Sequence, residues 1–169
     1  MPRANLTLHS RMLIAGASVF AADRLSKLWV VEWLDLEHLG RIEVAAPYLN
    51  FVMAWNRGIN FGIGAGGPGL MRWVLIGLAV AISLALVWWV RRRGARAKDD
   101  DTGKDRTPAL AWGAGVIIGG ALGNAVDRLH YGAVADFLNV SCCGIDNPYA
   151  FNIADLAIFA GAALIAFRA

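Results

Sequence analysis

The sequence has 169 residues, of which 57% are hydrophobic and only 17% charged, against roughly 25% charged in a soluble domain. The net charge is +3, but seven of the sixteen basic residues crowd between Arg91 and Arg106. That placement reads as a membrane-topology signal, and with no basic recognition helix it excludes nucleic acid as the expected partner. The two cysteines, Cys142 and Cys143, are adjacent and lack metal or redox spacing, so they read as bystander thiols.

Four apolar stretches are expected to span a membrane, each needing about 20 residues at 1.5 Å rise. The first runs over about 12–34 and is interrupted by Asp23, Arg24 and Lys27. A cleaved signal peptide ending at Ala22 is disfavoured, because Phe20 stands where a small residue is wanted and apolar sequence resumes at Leu28. The second, about 70–90, carries Trp73 at one end and Trp88-Trp89 at the other as interfacial belts. The third, about 108–126, is rich in glycine (Gly113, Gly115, Gly119, Gly120, Gly123) and suits close helix packing. The fourth covers about 149–167 and holds one acid, Asp155.

The expected fold is an all-α membrane protein, one domain over 1–169. Its four transmembrane helices are joined by a small extended or β platform between helices 1 and 2. Arg41 to Val44 and Tyr48 to Trp55 have strand-like composition, and Gly64 to Gly69 reads as a flexible turn. The basic loop 91–107 should be cytoplasmic, which puts both termini in the cytoplasm and the platform outside. Its insert AKDDDTGKDR (97–106) reads as a solvated, mobile linker.

Ionisable groups inside a bilayer cost about 2.5–3.5 kcal/mol each on the insertion scale, so each needs a reason. Asp23 and Lys27 are four apart and can pair on one helix face, either as an internal ion pair that aids packing or as the brace of a functional site. Asp127 and Arg128 are adjacent, face different directions and should have separate partners, with Asn124 on the face of Asp127. Asp136, in the apolar VADF of the outer loop, and Asp155, about 7–8 Å into the fourth span, have no cationic neighbour in sequence. Asn152 shares the face of Asp155. Two converging carboxylates can hold one proton between them and activate water for attack on an amide. Lone intramembrane acids also occur in proton transporters, and a transporter using Asp23, Lys27 and Asp155 is the alternative reading.

Five blocks carry a resemblance: DRLSK (23–27), WNRGINFG (55–62), GGALGNAVDR (119–128), VADF (134–137) and FNIADLAI (151–158). In this order they resemble the signature blocks of the lipoprotein signal peptidases, or signal peptidase II. The resemblance implies an aspartic endopeptidase of the bacterial inner membrane. It would remove the signal peptide from prolipoproteins, before the diacylglyceryl-modified cysteine, at the outer face. Asp136 and Asp155 would be the catalytic pair. Asn56, Gly58, Asn124, Arg128 and Asn152 would line the substrate groove, and Asp23 and Lys27 would be structural charges, with Asp127 read as a further brace. Lipid-modified prolipoproteins, membrane lipid and globomycin-type inhibitors are the implied partners, for a monomer. No cofactor or metal is expected, since His9, His38 and His130 join no ligand set. Asn60 departs from the family, which usually has a small residue there.

Overall fold

A computed structural model describes residues 3–58, 68–96, 107–142 and 147–168. Helix α1 (Arg3–Lys27) runs on through a π-helical turn, Leu28–Trp33, into the short α2 (Leu36–Leu39). Strands β1 (Arg41–Ala45) and β2 (Leu49–Asn56) follow, then α3 (Pro68–Arg96) and α4 (Thr107–His130). Strand β3 (Val134–Val140) and α5 (Ile153–Arg168) complete the order. Asn60, the bulk of the expected Gly64–Gly69 turn and the 97–106 insert lie outside the described residues.

Helix α4 is the central post, packed against α1, α3 and α5. Its glycines make this possible. A Cβ at Gly119 would collide with the Gly16 carbonyl of α1, and one at Gly120 would stand 2.5 Å from the Ala154 carbonyl of α5. At Gly123 it would lie 2.6 Å from Asp23 Oδ2, so the missing side chain leaves room for a buried carboxylate. The glycine-rich third segment is thus a packing surface on two sides, as expected.

Among the described residues, two helices are long and apolar enough to cross a membrane, Gly69–Ala95 and Thr107–His130. The first and fourth expected spans do not meet that measure: α1 carries Asp23, Arg24 and Lys27, and α5 has only 16 residues. Helix α3 continues to Arg96, so the basic stretch expected as loop from residue 91 begins as helix. Arginine is a good helix former and is favoured near a helix C-terminus. The guanidiniums of Arg92 and Arg93 also lie over the rings of Trp88 and Trp89, 4.4 and 5.8 Å from their centroids.

The platform is a three-stranded antiparallel sheet in the order β1-β2-β3. Its first two strands match the segments read as extended, but the third comes from beyond α4. The VADF stretch expected as loop opens β3. The sheet's backbone polar groups are satisfied by β2, through pairs such as Ala54 with Asp136 and Asn56 with Val134. No period-2 alternation announces this strand, because residues 134–137 are buried on both faces. Phe51 of β2 packs edge-on against Trp29 and Phe137, at 6.2 and 5.9 Å between centroids. With Val30, Val31 and Leu36, these rings fasten the sheet to the π-helical turn. Beyond β3, Cys142 is disulfide-bonded, which corrects the reading of two bystander thiols.

Candidate active site

The strand β3 and the start of α5 bring Asp136 and Asp155 to one place. Asp136 is 4% exposed. Phe151, just before α5, is bonded both ways to Leu138 (N–H to O, 3.0 and 2.8 Å) and accepts the Phe137 N–H at 3.0 Å. This clamps the helix start to the strand. Asp155 is the third residue of α5, so it sits in the first turn and not 7–8 Å down a span; the helix begins later than hydropathy indicated.

Asn152 is the N-cap of α5. Its Oδ1 accepts the Asp155 N–H at 2.9 Å, satisfying a donor that the helix itself cannot. With the oxygen engaged, the amide nitrogen must face away from the helix, and it donates to Asp136 Oδ1 at 2.6 Å and to Asn124 Oδ1 at 3.2 Å. Asn124 in turn donates to Asp155 Oδ1 at 2.9 Å. The two aspartates are therefore the ends of a chain running Asp136–Asn152–Asn124–Asp155.

Asn56 is oriented by the same logic. The Gly58 N–H donates to its Oδ1 at 2.9 Å, an Asx turn, and Asn56 in turn hydrogen-bonds to Asp136. Gly58 adopts φ +93°, a conformation that favours glycine, and a Cβ there would also have to displace the Leu75 side chain, 2.7 Å away. Burial raises the pKa of Asp136 most, and the charge of Asp155 raises it further. The bonds from Asn56 and Asn152 and the charge of Lys27 act the other way, and the balance puts it at about 6. Arg128 lies near both carboxylates and donates to the Asn124 carbonyl at 3.2 Å, while its Nε is buried with no hydrogen-bond partner among the described residues.

Behind this site lies a second cluster. Lys27 Nζ is 2.9 Å from Asp23 and 2.5 Å from Asp127, and Arg24 pairs with both acids. Asp23 and Asp127 are fully buried, and two acids facing two bases leave the cluster formally neutral. Each acid also reaches a backbone N–H beside a member of the aspartate pair. Asp23 Oδ1 accepts from Ala154 and Asp127 Oδ2 from Ala135, both at 3.2 Å. Asp127 and Arg128 do have separate partners, as their adjacency requires. Asn124 and Asp127 diverge, one toward α5 and the other toward α1.

All ten site candidates of the sequence fall in these two joined clusters. Arg24 is the residue that sequence reasoning missed. Its position beside Asp23 in DRLSK was the available signal, but its partner Asp127 is 103 residues away.

A profile of the family described as signal peptidase (SPase) II matches residues 15–169. The lipoprotein signal peptidase of Methylorubrum extorquens (strain PA1) is 41% identical over 149 residues, covering 88% of this chain and 79% of the relative. That of Rhodopseudomonas palustris (strain ATCC BAA-98 / CGA009) is 38% identical over 159 residues, 92% of this chain and 88% of the relative. A solved bacterial membrane enzyme, determined by the in meso method at 1.9 Å resolution, superposes with a TM-score of 0.67 at 27% identity, covering 92% of this chain and 90% of that one. A match across nearly the whole length, joined to such relatives, makes this chain a member of the lipoprotein signal peptidase (signal peptidase II) family.

Proposed function

We propose that this chain is an aspartic endopeptidase that cuts the signal peptide from diacylglyceryl-modified prolipoproteins at the outer face of the bacterial inner membrane. The observation that carries this reading is the bonded chain Asp136–Asn152–Asn124–Asp155, with the pKa of Asp136 lifted to about 6. Such an environment keeps a proton on one carboxyl while the other stays anionic.

In the mechanism, Asp155 as carboxylate takes a proton from the attacking water as its oxygen bonds to the scissile carbonyl carbon. Asp136 gives its proton to the carbonyl oxygen. Collapse of the tetrahedral intermediate breaks the C–N bond, the proton on Asp155 passes to the leaving nitrogen, and Asp136 recovers its own from the hydroxyl. Arg128, near both carboxylates, would turn its guanidinium to a substrate carbonyl. Asn56, Gly58, Asn124 and Asn152 shape the groove largely by fixing Asp136 and Asp155. Asp23, Lys27 and Asp127 serve as the brace behind them.

A substrate held in the bilayer by its lipid must be cut at the interface. On this reading α1 and α5 join the two more apolar helices as spans, and a cytoplasmic basic stretch at 91–106 puts the platform and both aspartates outside and the termini in the cytoplasm. The charges of α1 meet this requirement by pairing inside the bundle, and that pairing also weakens the transporter reading, which needs acids unmatched along a path. The enzyme works as a monomer without metal, and globomycin-type peptides should occupy its groove.

The test is precursor processing in liposomes. Asp136→Asn and Asp155→Asn should each abolish cleavage in a folded protein, with the double variant little worse, because the pair acts as one unit. Chelation should leave the wild type active. Near-normal turnover by either single variant would sink the assignment.

A further inference from the structure

At the end of the bundle remote from the aspartates, a crevice of about 250 Å³ lies between α1 and α3, lined by Leu8, His9, Val90, Arg91 and Gly94. Its walls differ in kind. Leu8 and Val90 belong to the apolar core shared with Met12, Leu110 and Ala111, and Gly94 is buried. The mouth is polar: Arg91 is exposed, and its Nε donates to His9 Nε2 at 3.1 Å. Among the described residues, no carboxylate lies within ion-pair range of Arg91.

The depth of the crevice follows from its neighbours. Helix α3 has 29 residues, about 43 Å at 1.5 Å each, so it outruns a hydrocarbon core of about 30 Å by about two turns. Trp88 and Trp89, each under an arginine, mark the level where indole rings settle, among the headgroups. Arg91 is two residues beyond, at phosphate height. A basic mouth above an apolar floor at that depth matches one ligand chemistry: a phosphodiester carrying net negative charge, with an acyl-glycerol backbone behind it.

We propose that this crevice binds the headgroup of an anionic phospholipid of the adjoining leaflet, with Arg91 on the phosphate, His9 holding the Arg91 fork, and Leu8 and Val90 against the glycerol backbone. The proposal rests on the reading that α3 crosses the bilayer, but it does not depend on the peptidase chemistry. Its ligand would anchor α1 to α3 where the two helices share only a thin apolar contact.

Native mass spectrometry tests it, on full-length protein purified in detergent containing equimolar dioleoylphosphatidylglycerol and dioleoylphosphatidylcholine. The wild type should retain phosphatidylglycerol preferentially. Arg91→Gln should lower that retention about fivefold, the worth of one basic residue near an anionic surface. Gly94→Leu, which keeps the charge but fills the crevice, should lower it as much, and it decides the matter if Arg91→Gln does not fold. Arg92→Gln, outside the crevice, should change little. Equal losses in Arg91→Gln and Arg92→Gln would reduce the effect to a general basic belt, and full retention by Gly94→Leu would remove the crevice as its seat. Displacement of the lipid by millimolar inorganic phosphate would overturn the lipid as ligand in favour of free phosphate. Precursor processing by the same variants, in excess lipid, should stay at the wild-type rate, so failure here would leave the peptidase assignment standing.

Discussion

Asn152 stands against Asp136 with its amide nitrogen 2.6 Å from Oδ1, while its amide oxygen caps α5 at the Asp155 N–H, 2.9 Å away. One side chain thus starts the helix that carries one aspartate and holds the other. The two duties can be separated. Serine is nearly as good an N-cap as asparagine, but its hydroxyl is too short to reach Asp136. Asn152→Ser should unfold cooperatively with a loss of no more than about 2 kcal/mol, from the cavity and the altered partner of Asn124. Processing should fall about 2- to 10-fold, the worth of a hydrogen bond between neutral groups at about 0.5–1.5 kcal/mol, since Asp136 is the protonated carboxyl of the pair. Thermal unfolding and cleavage rate, measured together, decide it. Wild-type cleavage by a stable Asn152→Ser protein would show that the bond to Asp136 is dispensable.

The raised pKa of Asp136 makes a claim about stability as well as chemistry. An acid whose folded pKa, about 6, lies above its ordinary 3.8 binds more protons folded than unfolded between those values. Stability from this group is therefore fully present below about pH 4 and is lost as pH rises through 6. Asp136→Asn removes the titration and keeps the shape. The Tm of Asp136→Asn minus that of the wild type should be smallest near pH 4, should grow as pH rises, and should level off above about pH 7. A difference that stays flat across this range would mean that Asp136 ionises in the fold as freely as in water.

Much of this architecture was legible because membranes and helix periodicity leave strong local signals. The glycines of α4 announced a close-packed helix, and the four-residue spacing of Asp23 and Lys27 announced a pair. The signals failed where partners are distant. Nothing local joins Arg24 to Asp127, or Asp127 to the Ala135 N–H, and a strand buried on both faces reads as an apolar loop. Helix ends were misplaced for a related reason. Hydropathy measures solvent, whereas the start of α5 is set by the Asn152 cap and by the Phe151–Leu138 bridge, and the end of α3 by arginines that hydropathy counts as polar.

The brace behind the site should respond to charge balance more than to any single contact. Lys27 is shared by Asp23 and Asp127, both fully buried. Removing it as Lys27→Met would leave two acids to a single arginine, and breaking a buried ion pair from one side costs about 3–5 kcal/mol. Asp127→Asn alone should cost less than Lys27→Met, because Asp23 still faces both cations, and should lower activity only in part. The double variant Lys27→Met/Asp127→Asn restores neutrality around Asp23 and Arg24. Its loss of stability should fall short of the sum of the two single losses by more than about 0.5 kcal/mol, the limit for independent sites. Additive losses in denaturant or thermal unfolding would show that the four charges do not act as one unit.

Orientation remains the premise on which the position of the site depends. Arg91, Arg92, Arg93 and Arg96 end α3, and Lys98, Lys104 and Arg106 follow in the insert. Holding seven basic residues on the outer side would run against the bias that sets helical topology. Tyr149, 76% exposed, accepts from Asn139 of β3, the strand that carries Asp136, at the other end of the bundle. Single cysteines at positions 98 and 149 therefore report opposite sides, once Cys142 and Cys143 are replaced by serine to clear the background. In intact cells with a permeabilised outer membrane, an impermeant maleimide should label Tyr149→Cys and leave Lys98→Cys unlabelled until the inner membrane is opened. The reagent enters only from the periplasm, so the order of labelling is a direct reading of sidedness. Labelling at 98 before opening, with 149 protected, would invert the protein and put both aspartates on the cytoplasmic face, where a lipoprotein precursor anchored in the outer leaflet could not reach them.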